Sequence, residues 1–441
     1  MRDPEALLTF EPDRVMRRLN TALTADHFLH SDLAQTWVKR GDLVPFQIHS
    51  PAQVSSSRLP FVTHPYEWTD NQLFAAAQLT LRLQQEAVAA GFDLKDASAW
   101  NVIFDGTRPV FCDLMSFQPL RDRNWWAAGQ FNRHFIFPLL LSKRKGFLAH
   151  RAFLVWRDGM PESSAREMLG WERFLGRHWL LMVNGSSNVE SAQSRRSTSD
   201  NGLSELVRFR TALQSGLRWM LDGVRPDSVG ASTVWRDYVS KRSHYDIAAL
   251  DDKRQTVLRW LSDAQPHWVL DLGCNSGEFS RLAASVGASV IAVDGDHGAL
   301  QNLWRNFGEG LHPLLCGLDD LPGGRGWCGR EHAGLIERLS GQSDVVMMLA
   351  LIHHITVSAS IPLEEIAKFV ARCSRRWAIV EMIDPSDVQL ISLCAQRQRQ
   401  PEEFGIDRQM RAFSDVGFDV VERVDLAGGV RQLVLMRLRT D

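Results

Sequence analysis

The chain has 441 residues, enough for two or three domains with cores of their own, so it is not a small scaffold that depends on disulfide staples. Fifty lysines and arginines nearly balance 52 aspartates and glutamates, so no global field points to nucleic acid or to an anionic membrane. The six cysteines make no C-x-x-C pair and no zinc-type spacing with a histidine, which predicts reduced thiols, no metal site and a cytoplasmic location.

The first twelve residues mix acids and prolines into few apolar positions and do not read as a signal peptide. The longest wholly apolar run, Phe135 to Leu141, is interrupted by Pro138 and is far short of the roughly 20 residues a spanning helix needs. No membrane span is expected. Residues 1–184 read as an α+β accessory domain. Its first 70 residues, punctuated by Pro12, Pro45, Pro51, Pro60 and Pro65, predict short strands and turns. From Asn71 to Ala90, Leu73, Ala76, Ala77, Leu79, Leu83, Ala87 and Val88 recur at helical spacing, and Gly91 stops the helix.

Residues 94–117 then predict a loop and a two-stranded hairpin with Asp105-Gly106 at its turn. Asp96 and Asn101 stand as D-x-x-x-x-N, with Asp113 at the end of the next apolar run. That spacing resembles a kinase-type catalytic loop followed by a metal-binding aspartate. No glycine-rich loop and no strand lysine precede it, which leaves a kinase-like remnant and an ordinary hairpin both open. Residues 124–182 are rich in large rings, among them Trp125, Trp126, Phe131, Phe135, Trp171, Phe174 and Trp179, as helix cores or as an aromatic wall for a ligand. Residues 185–202 are too poor in apolar side chains to fold and predict a flexible linker. Residues 203–264 predict a helical connector or lid holding Trp235, Tyr238 and Tyr245.

From residue 265 to 441 apolar runs alternate with amphipathic helices, the mark of a parallel sheet covered on both faces. Strands are predicted at 269–272, 290–293, near 314–316, 344–349, 377–382, 418–424 and 432–437, the last two forming a hairpin. The first strand runs Trp268-Val-Leu-Asp271-Leu-Gly273-Cys-Asn275-Ser-Gly277 into a helix. Its glycines permit a sharp turn and close approach of backbone to a ligand, and the new helix N-terminus attracts negative charge. The second strand ends in Asp294, where a βαβ unit places a group for ribose hydroxyls. A nucleoside site is expected at that turn. Ligands of such sheets sit over the carboxyl ends of the strands. There, Asp319 or Asp320 is placed to accept from an adenine amino group, or to be a solvated loop acid. His353 and His354 follow the fourth strand, with histidine's ordinary pKa suited to taking a proton from a hydroxyl acceptor. Glu381 closes the fifth strand and Asp384 and Asp387 follow it, all candidates for acceptor contacts.

The spacing Asp271-x-Gly273-x-x-x-Gly277, with Asp294 one βα unit later, resembles the first motifs of class I S-adenosyl-L-methionine (SAM)-dependent methyltransferases. Leu349-Ala-Leu-Ile-His353-His354 resembles the ending of the fourth strand in many small-molecule methyltransferases. Together with His64-Pro-Tyr-Glu-Trp68 and Lys95-Asp-Ala-Ser-Ala-Trp-Asn101, these motifs resemble a bacterial two-part methyltransferase family related to nodulation-type proteins. The resemblance implies a Rossmann-like seven-stranded sheet with SAM as cofactor. Asp271, Gly273, Asn275, Gly277, Asp294, Asp319 and Asp320 are its expected cofactor residues, and His353, His354 and Glu381 its catalytic candidates. It further implies O-methylation of a small-molecule or saccharide-related acceptor. The alternative is a regulatory or scaffold protein that binds a nucleoside ligand without turnover.

Overall fold

The computed structural model describes residues 5–183, 202–227, 247–306, 308–426 and 429–439. The chain divides into two units, Met1–Gly230 and Ala231–Asp441. The expected linker at 185–202 lies outside the described residues apart from Gly202, and so do Trp235, Tyr238 and Tyr245 of the expected lid.

In the first unit, β1 (Ala6–Phe10), β2 (Arg14–Leu19), β3 (Phe46–Ser50) and β4 (Gln53–Ser57) form an antiparallel sheet in the order β1-β2-β4-β3. The proline-punctuated start thus becomes strands as expected, but the segment between β2 and β3 also holds a helix, Asp32–Arg40. Ser31 caps that helix by accepting the Ala34 N–H at 3.2 Å, and Gly41 ends it in the left-handed conformation. Those two signals stand in the sequence, but the nearby prolines mask them. The helix Asp70–Ala89 begins with a reciprocal Thr69/Gln72 capping box and buries its apolar stripe, close to the predicted span. Two small antiparallel strand pairs follow. β5 (Phe92–Leu94) pairs with β8 (Phe117–Pro119), and β6 (Val102–Asp105) pairs with β7 (Arg108–Phe111) across the predicted Asp105-Gly106 turn.

Asp96, Asn101 and Asp113 are brought together there through Ser116. Asn101 Nδ2 donates to the Asp96 carbonyl oxygen at 3.2 Å, and Ser116 Oγ donates to Asp113 at 2.5 Å. Burial first, and then the charge of Asp113, raise the pKa of Asp96. The aromatic segment divides: Trp125, Phe131 and Phe135 are core, whereas Trp126, Trp171, Phe174 and Trp179 are exposed. The helix Gly202–Gly223 packs in this unit through a buried Arg210–Asp93 pair, with Arg210 also donating to the Asn124 carbonyl at 2.6 Å.

The helix Ile247–Ala264 belongs instead to the second unit, so the helices of the expected 203–264 connector are divided between the two units. The second unit is built on β9 (Trp268–Leu272), β10 (Ser289–Asp294), β11 (Leu311–Leu315), β12 (Ser343–Met348), β13 (Ser374–Ile383), β14 (Phe418–Leu426) and β15 (Arg431–Leu438). Their order is β11-β10-β9-β12-β13-β15-β14. The first five run parallel, and β15 joins antiparallel to both β13 and β14. Seven strands were expected, and the sheet has seven among the described residues. Because the central strands are covered on both faces, they read as continuous Val/Ile/Leu runs instead of alternating. β11 begins three residues before its predicted start and contains Pro313, which is tolerated because the strand is the edge of the sheet.

From β9 the chain order runs outward one way to β10 and β11, then returns to the other side of β9 as β12. That reversal is a topological switch point, and the crevice outside the carboxyl ends of β9 and β12 is where this architecture receives ligands.

Candidate functional site

Strand β9 delivers the chain to the switch point and a bend turns it into the helix Glu278–Ser285. Gly273, Asn275 and Gly277 all have positive φ, of 72°, 51° and 78°. Asparagine is one of the few side chains that tolerates this region, so Asn275 stands where glycine would be easiest. A Cβ on Gly273 would lie 2.9 Å from Leu351 Cδ1, and one on Gly277 would overlap Leu303 Cδ1.

The bend is pinned from β10. The Asn275 N–H donates to Asp294 Oδ2 at 2.7 Å, and the Asp296 N–H donates to Asp294 Oδ1 at 2.7 Å. The Gly295 amide acts on the same carboxylate, and of its roughly four acceptor sites one is left for a ligand. Burial raises the pKa of Asp294 against these backbone donors, which act in the opposite direction. Asp294 therefore faces the Gly273–Gly277 bend, as its place at the strand end predicted.

Two features of the bend bear on how a ligand would be held. The amides of Gly273, Cys274, Asn275, Ser276 and Gly277 are all taken up within the chain, by Val293 O, Val293 O, Asp294, Asn275 Oδ1 and Cys274 O. Donors for an anionic group must then come from the first turn of the following helix, where N–H groups have no intrahelical partner. Asp271, expected at the cofactor, is 2% exposed and accepts from Ser280 Oγ at 2.5 Å. Burial pushes its carboxyl up to about 6. It clamps the helix to β9 from behind the bend.

The loops after β10 and β11 touch: the Cys316 N–H donates to the Asp294 carbonyl at 2.9 Å, and a Cβ on Gly295 would lie 3.3 Å from Gly317 Cα. Asp319 and Asp320 follow in the loop after β11, and both are exposed.

On the β12 side, His353 and His354 lead out of the strand into a short π-helical turn, with ring centroids 4.1 Å apart. His353 is 2% exposed; neither ring nitrogen makes a well-aligned hydrogen bond among the described residues, and the Gln389 side chain is close enough to offer one. Burial, His354 and the Arg431 guanidinium hold its pKa well below the ordinary histidine value, against the opposing pull of Glu381 and Gln389. Burial and Arg431 lower His354 to about 4. A base of unperturbed pKa was expected here. The site instead offers two imidazoles that are neutral at physiological pH.

Glu381 departs furthest from its expected role. It lies within β13, is 0% exposed, and has both oxygens on cations: Oε2 on Lys253 Nζ and Oε1 on Arg431 Nη1 at 3.1 Å. Arg431 Nε reaches Asp387 Oδ2 at 2.9 Å and its Nη2 donates to Gln389 Oε1 at 3.0 Å. Asp387 also caps the helix Val388–Arg397, accepting the Gln389 and Leu390 N–H groups at 2.9 and 3.0 Å. Asp384 accepts from Ser386 at 2.6 Å. Neither Lys253 nor Arg431 was singled out from the sequence. Arg431, at the start of the reversed β15, carries a signal that could have been used: it is a charged residue at the inner end of a strand beside the central carboxylate.

The buried rings make the fold acid-sensitive. In the unfolded chain histidine takes up a proton near pH 6.5. His354 resists protonation until about 4 and His134, buried in the first unit, until about 3. Below about pH 6.5 the unfolded state therefore binds more protons, and each such ring lowers stability by about 1.4 kcal/mol per pH unit. Asp271 acts oppositely between about 6 and its ordinary 3.8, where the folded form keeps the extra proton. Asp93, Asp96 and Asp294, also raised by burial, act in the same sense as Asp271, but His27, His178 and His353 are lowered along with His134 and His354, so five rings stand against four carboxyls and thermal unfolding followed by circular dichroism is expected at lower temperature at pH 5 than at pH 7.5. Equal or higher stability at pH 5 would contradict the buried, neutral state of these rings.

No described helix is long and apolar enough to cross a membrane. No family model matches the chain. The chain is similar to the nodulation protein NoeA of Rhizobium meliloti (strain 1021), at 29% identity over 418 residues covering 90% of this chain and 87% of that protein. The resemblance to nodulation-type proteins thus runs along nearly the whole chain. Among solved structures, it is similar to magnesium protoporphyrin IX methyltransferase from Synechocystis PCC 6803 with bound SAH, at 15% identity and a TM-score of 0.33, covering 46% of this chain and 93% of that one. It is also similar to the N-methyltransferase NodS of Bradyrhizobium japonicum WM9, at 12% identity and a TM-score of 0.32, covering 44% of this chain and 99% of that one.

Proposed function

We propose that the chain is a SAM-dependent methyltransferase acting on a hydroxyl of a small-molecule acceptor. It is an enzyme of the methyltransferase class and SAM is its cofactor. The observation that carries the reading is the placement of Asp294, held 2.7 Å from the Asn275 N–H at the bend that opens the switch-point crevice.

The residues present fit that cofactor. Three consecutive odd positions, 273, 275 and 277, adopt the left-handed conformation, which brings backbone rather than side chains to the crevice. The first turn of the helix Glu278–Ser285 would receive the methionyl carboxylate. Asp294 keeps acceptor capacity for a ribose hydroxyl, and Asp319 or Asp320 would take the adenine amino group. Bound there, SAM supplies an electrophilic methyl group. The chain's own contribution on the acceptor side is orientation: the neutral imidazole of His353 offers a nitrogen to the acceptor hydroxyl, and the two substrates are held in one crevice, where proximity itself accelerates transfer. As the O–CH3 bond forms and the sulfonium leaves as its thioether, the hydroxyl proton passes to bulk water, since both rings are shifted down and neither retains it at neutral pH.

Calorimetry of the full-length chain with S-adenosylhomocysteine (SAH) tests the proposal. Binding is expected, and Asp294→Ala should weaken it at least tenfold, corresponding to about 1.4 kcal/mol. A correctly folded parent chain that does not bind SAH would sink the reading.

A further inference from the structure

The aromatic segment of the first unit contains rings that its core does not use. Trp171, Phe174 and Trp179 are exposed, and so are their neighbours Leu175 and Leu180 and, from the helix Gly202–Gly223, Trp219. These six side chains are between 43% (Leu180) and 71% (Trp171) exposed. One region of the unit carries them. Arg144, near the end of the helix Phe137–Lys145, donates to the Glu172 carbonyl at 2.7 Å and to the Leu175 carbonyl at 2.9 Å. Arg177 Nη1 donates to the Trp219 carbonyl at 2.7 Å, and Nε2 of the buried His178 lies 2.9 Å from the Met220 carbonyl. So many large apolar side chains exposed in one place mark a surface that a partner covers.

The charges among these rings indicate the kind of partner. Lys143, Arg144, Lys145, Arg173, Arg177 and Arg225 stand against Glu172, Asp222 and Asp227, six positive charges against three negative ones. Lys145 pairs with Glu172, Lys143 with Asp227 at 3.2 Å and Arg225 with Asp222 at 3.2 Å. The other three guanidinium groups meet neutral partners. Arg144 and Arg177 hold the carbonyls just named, Arg177 also lies 4.6 Å from the Trp219 ring centroid, and Arg173 lies 4.7 Å from that of Phe174. His178 registers the same field: burial first, and then the charges of Arg144, Arg177 and Lys143, lower its pKa against the opposing Met220 carbonyl. A second copy docked through this face would set three unneutralised guanidinium groups against three more. Nucleic acid would use the charge and the rings but not the aliphatic Leu175 and Leu180. An anionic bilayer uses every part: its phosphates meet the guanidinium groups, indole rings sit at headgroup level, and the leucines reach the acyl boundary.

We infer that this face of the first unit binds the surface of a bilayer containing anionic phospholipids, with Trp171, Phe174 and Trp179 entering the headgroup layer and Arg144, Arg173 and Arg177 meeting the lipid phosphates. The attachment is peripheral, since no described helix is long and apolar enough to cross the bilayer. Arginine suits such a layer, because its methylene stem lies along apolar surface while the guanidinium stays with the phosphates. The inference goes beyond the methyltransferase reading and does not depend on it.

Co-sedimentation of the full-length chain with unilamellar vesicles tests it, with vesicles of phosphatidylcholine alone and of phosphatidylcholine mixed with phosphatidylglycerol. The chain is expected to bind the mixed vesicles at least tenfold more tightly than the neutral ones, and the difference should shrink in high salt. Trp171→Ser removes the most exposed ring of the face and is expected to weaken binding to the mixed vesicles about tenfold. Arg173→Gln removes a charge that rests on the Phe174 ring and is expected to weaken it about fivefold. Trp126→Ser is the control: that ring is also exposed, but its Nε1 donates to Asp122 at 3.1 Å, and the variant should bind like the parent. Circular dichroism checks the fold of each variant. The inference is overturned if the parent does not sediment with the mixed vesicles, if neutral vesicles bind it as well, or if Trp171→Ser and Arg173→Gln bind like the parent. An oligothymidylate that binds the parent more tightly than the mixed vesicles do would assign the face to nucleic acid. A dimer in analytical ultracentrifugation that Trp171→Ser dissolves would assign it to a second copy of the chain. Either result also overturns the inference.

Discussion

Gly277→Ala is expected to abolish measurable SAH binding in calorimetry, while circular dichroism still shows a folded chain. Gly277 has a φ of 78°, a region that costs an L-residue with a side chain about 1–2 kcal/mol. The added Cβ would also overlap Leu303 Cδ1. Leu303 cannot simply swing aside: it is fully buried and packs in the core cluster with Leu300, Val290 and Ala283. Overpacking of this kind typically costs about 1–3 kcal/mol. The chain can relieve part of it by shifting the bend, and that shift moves the N-terminus of the helix Glu278–Ser285 away from Asp294. Asn275→Gly is the control. With a φ of 51° at that position, glycine removes strain without adding an atom, and SAH affinity is expected to stay within about threefold of the parent's. Parent-like SAH binding by Gly277→Ala would place the cofactor somewhere other than this bend.

The second unit was largely legible because its two strongest signals do not depend on tertiary detail. Strands buried on both faces appear as unbroken apolar runs, and Asp271-x-Gly273-x-x-x-Gly277 marks the one turn where backbone conformation excludes most side chains. The short prediction for β11 shows the limit of such patterning. Pro313 argues against a strand interior, and only the strand's position at the edge of the sheet makes it acceptable. The first unit was harder to read for the opposite reason. Its sheet is antiparallel and its strands have exposed positions, so Phe46–Ser50 and Gln53–Ser57 look like turn-rich sequence until their partners are known. The Asp70–Ala89 helix, with thirteen buried positions and a capping box, was legible on its own.

At the site, sequence position located side chains along the chain but did not give their partners. Asp294 was placed by its distance from the bend, and the structure puts it there. Asp271 and Glu381 share the same sequence signature, an acid at or near the end of an apolar strand, yet both are turned inward to Ser280 and to Lys253 and Arg431 respectively. What separates them from Asp294 is the partner each meets on folding, nine residues on for Asp271 and 128 and 50 residues away for Glu381, which no local pattern reports. The histidines make the same point about chemistry. Their type suggested a base near neutrality, but burial beside a guanidinium sets the protonation state, and both are found only after folding.

Removing the Glu381 carboxylate therefore separates the structural role from the acceptor-binding role that the sequence suggested. Glu381→Ala leaves Lys253 and Arg431 buried without their shared counter-ion, and the guanidinium cannot shed its charge. Breaking a buried pair from one side costs about 3–5 kcal/mol. For a unit of this size, about 1 kcal/mol corresponds to roughly 2–4 °C, so the melting transition of the second unit should fall by about 6–20 °C. Glu381→Gln keeps the volume and one acceptor and is expected to lose less. Replacing all three charged groups together, as Lys253→Met, Glu381→Leu and Arg431→Met, should recover much of the loss, because the expense of desolvating the charges disappears along with their attraction. If Glu381 were instead an acceptor-binding group, Glu381→Ala would melt within about 2 °C of the parent chain. The fully buried carboxylate, with a cation on each oxygen, favours the large thermal shift.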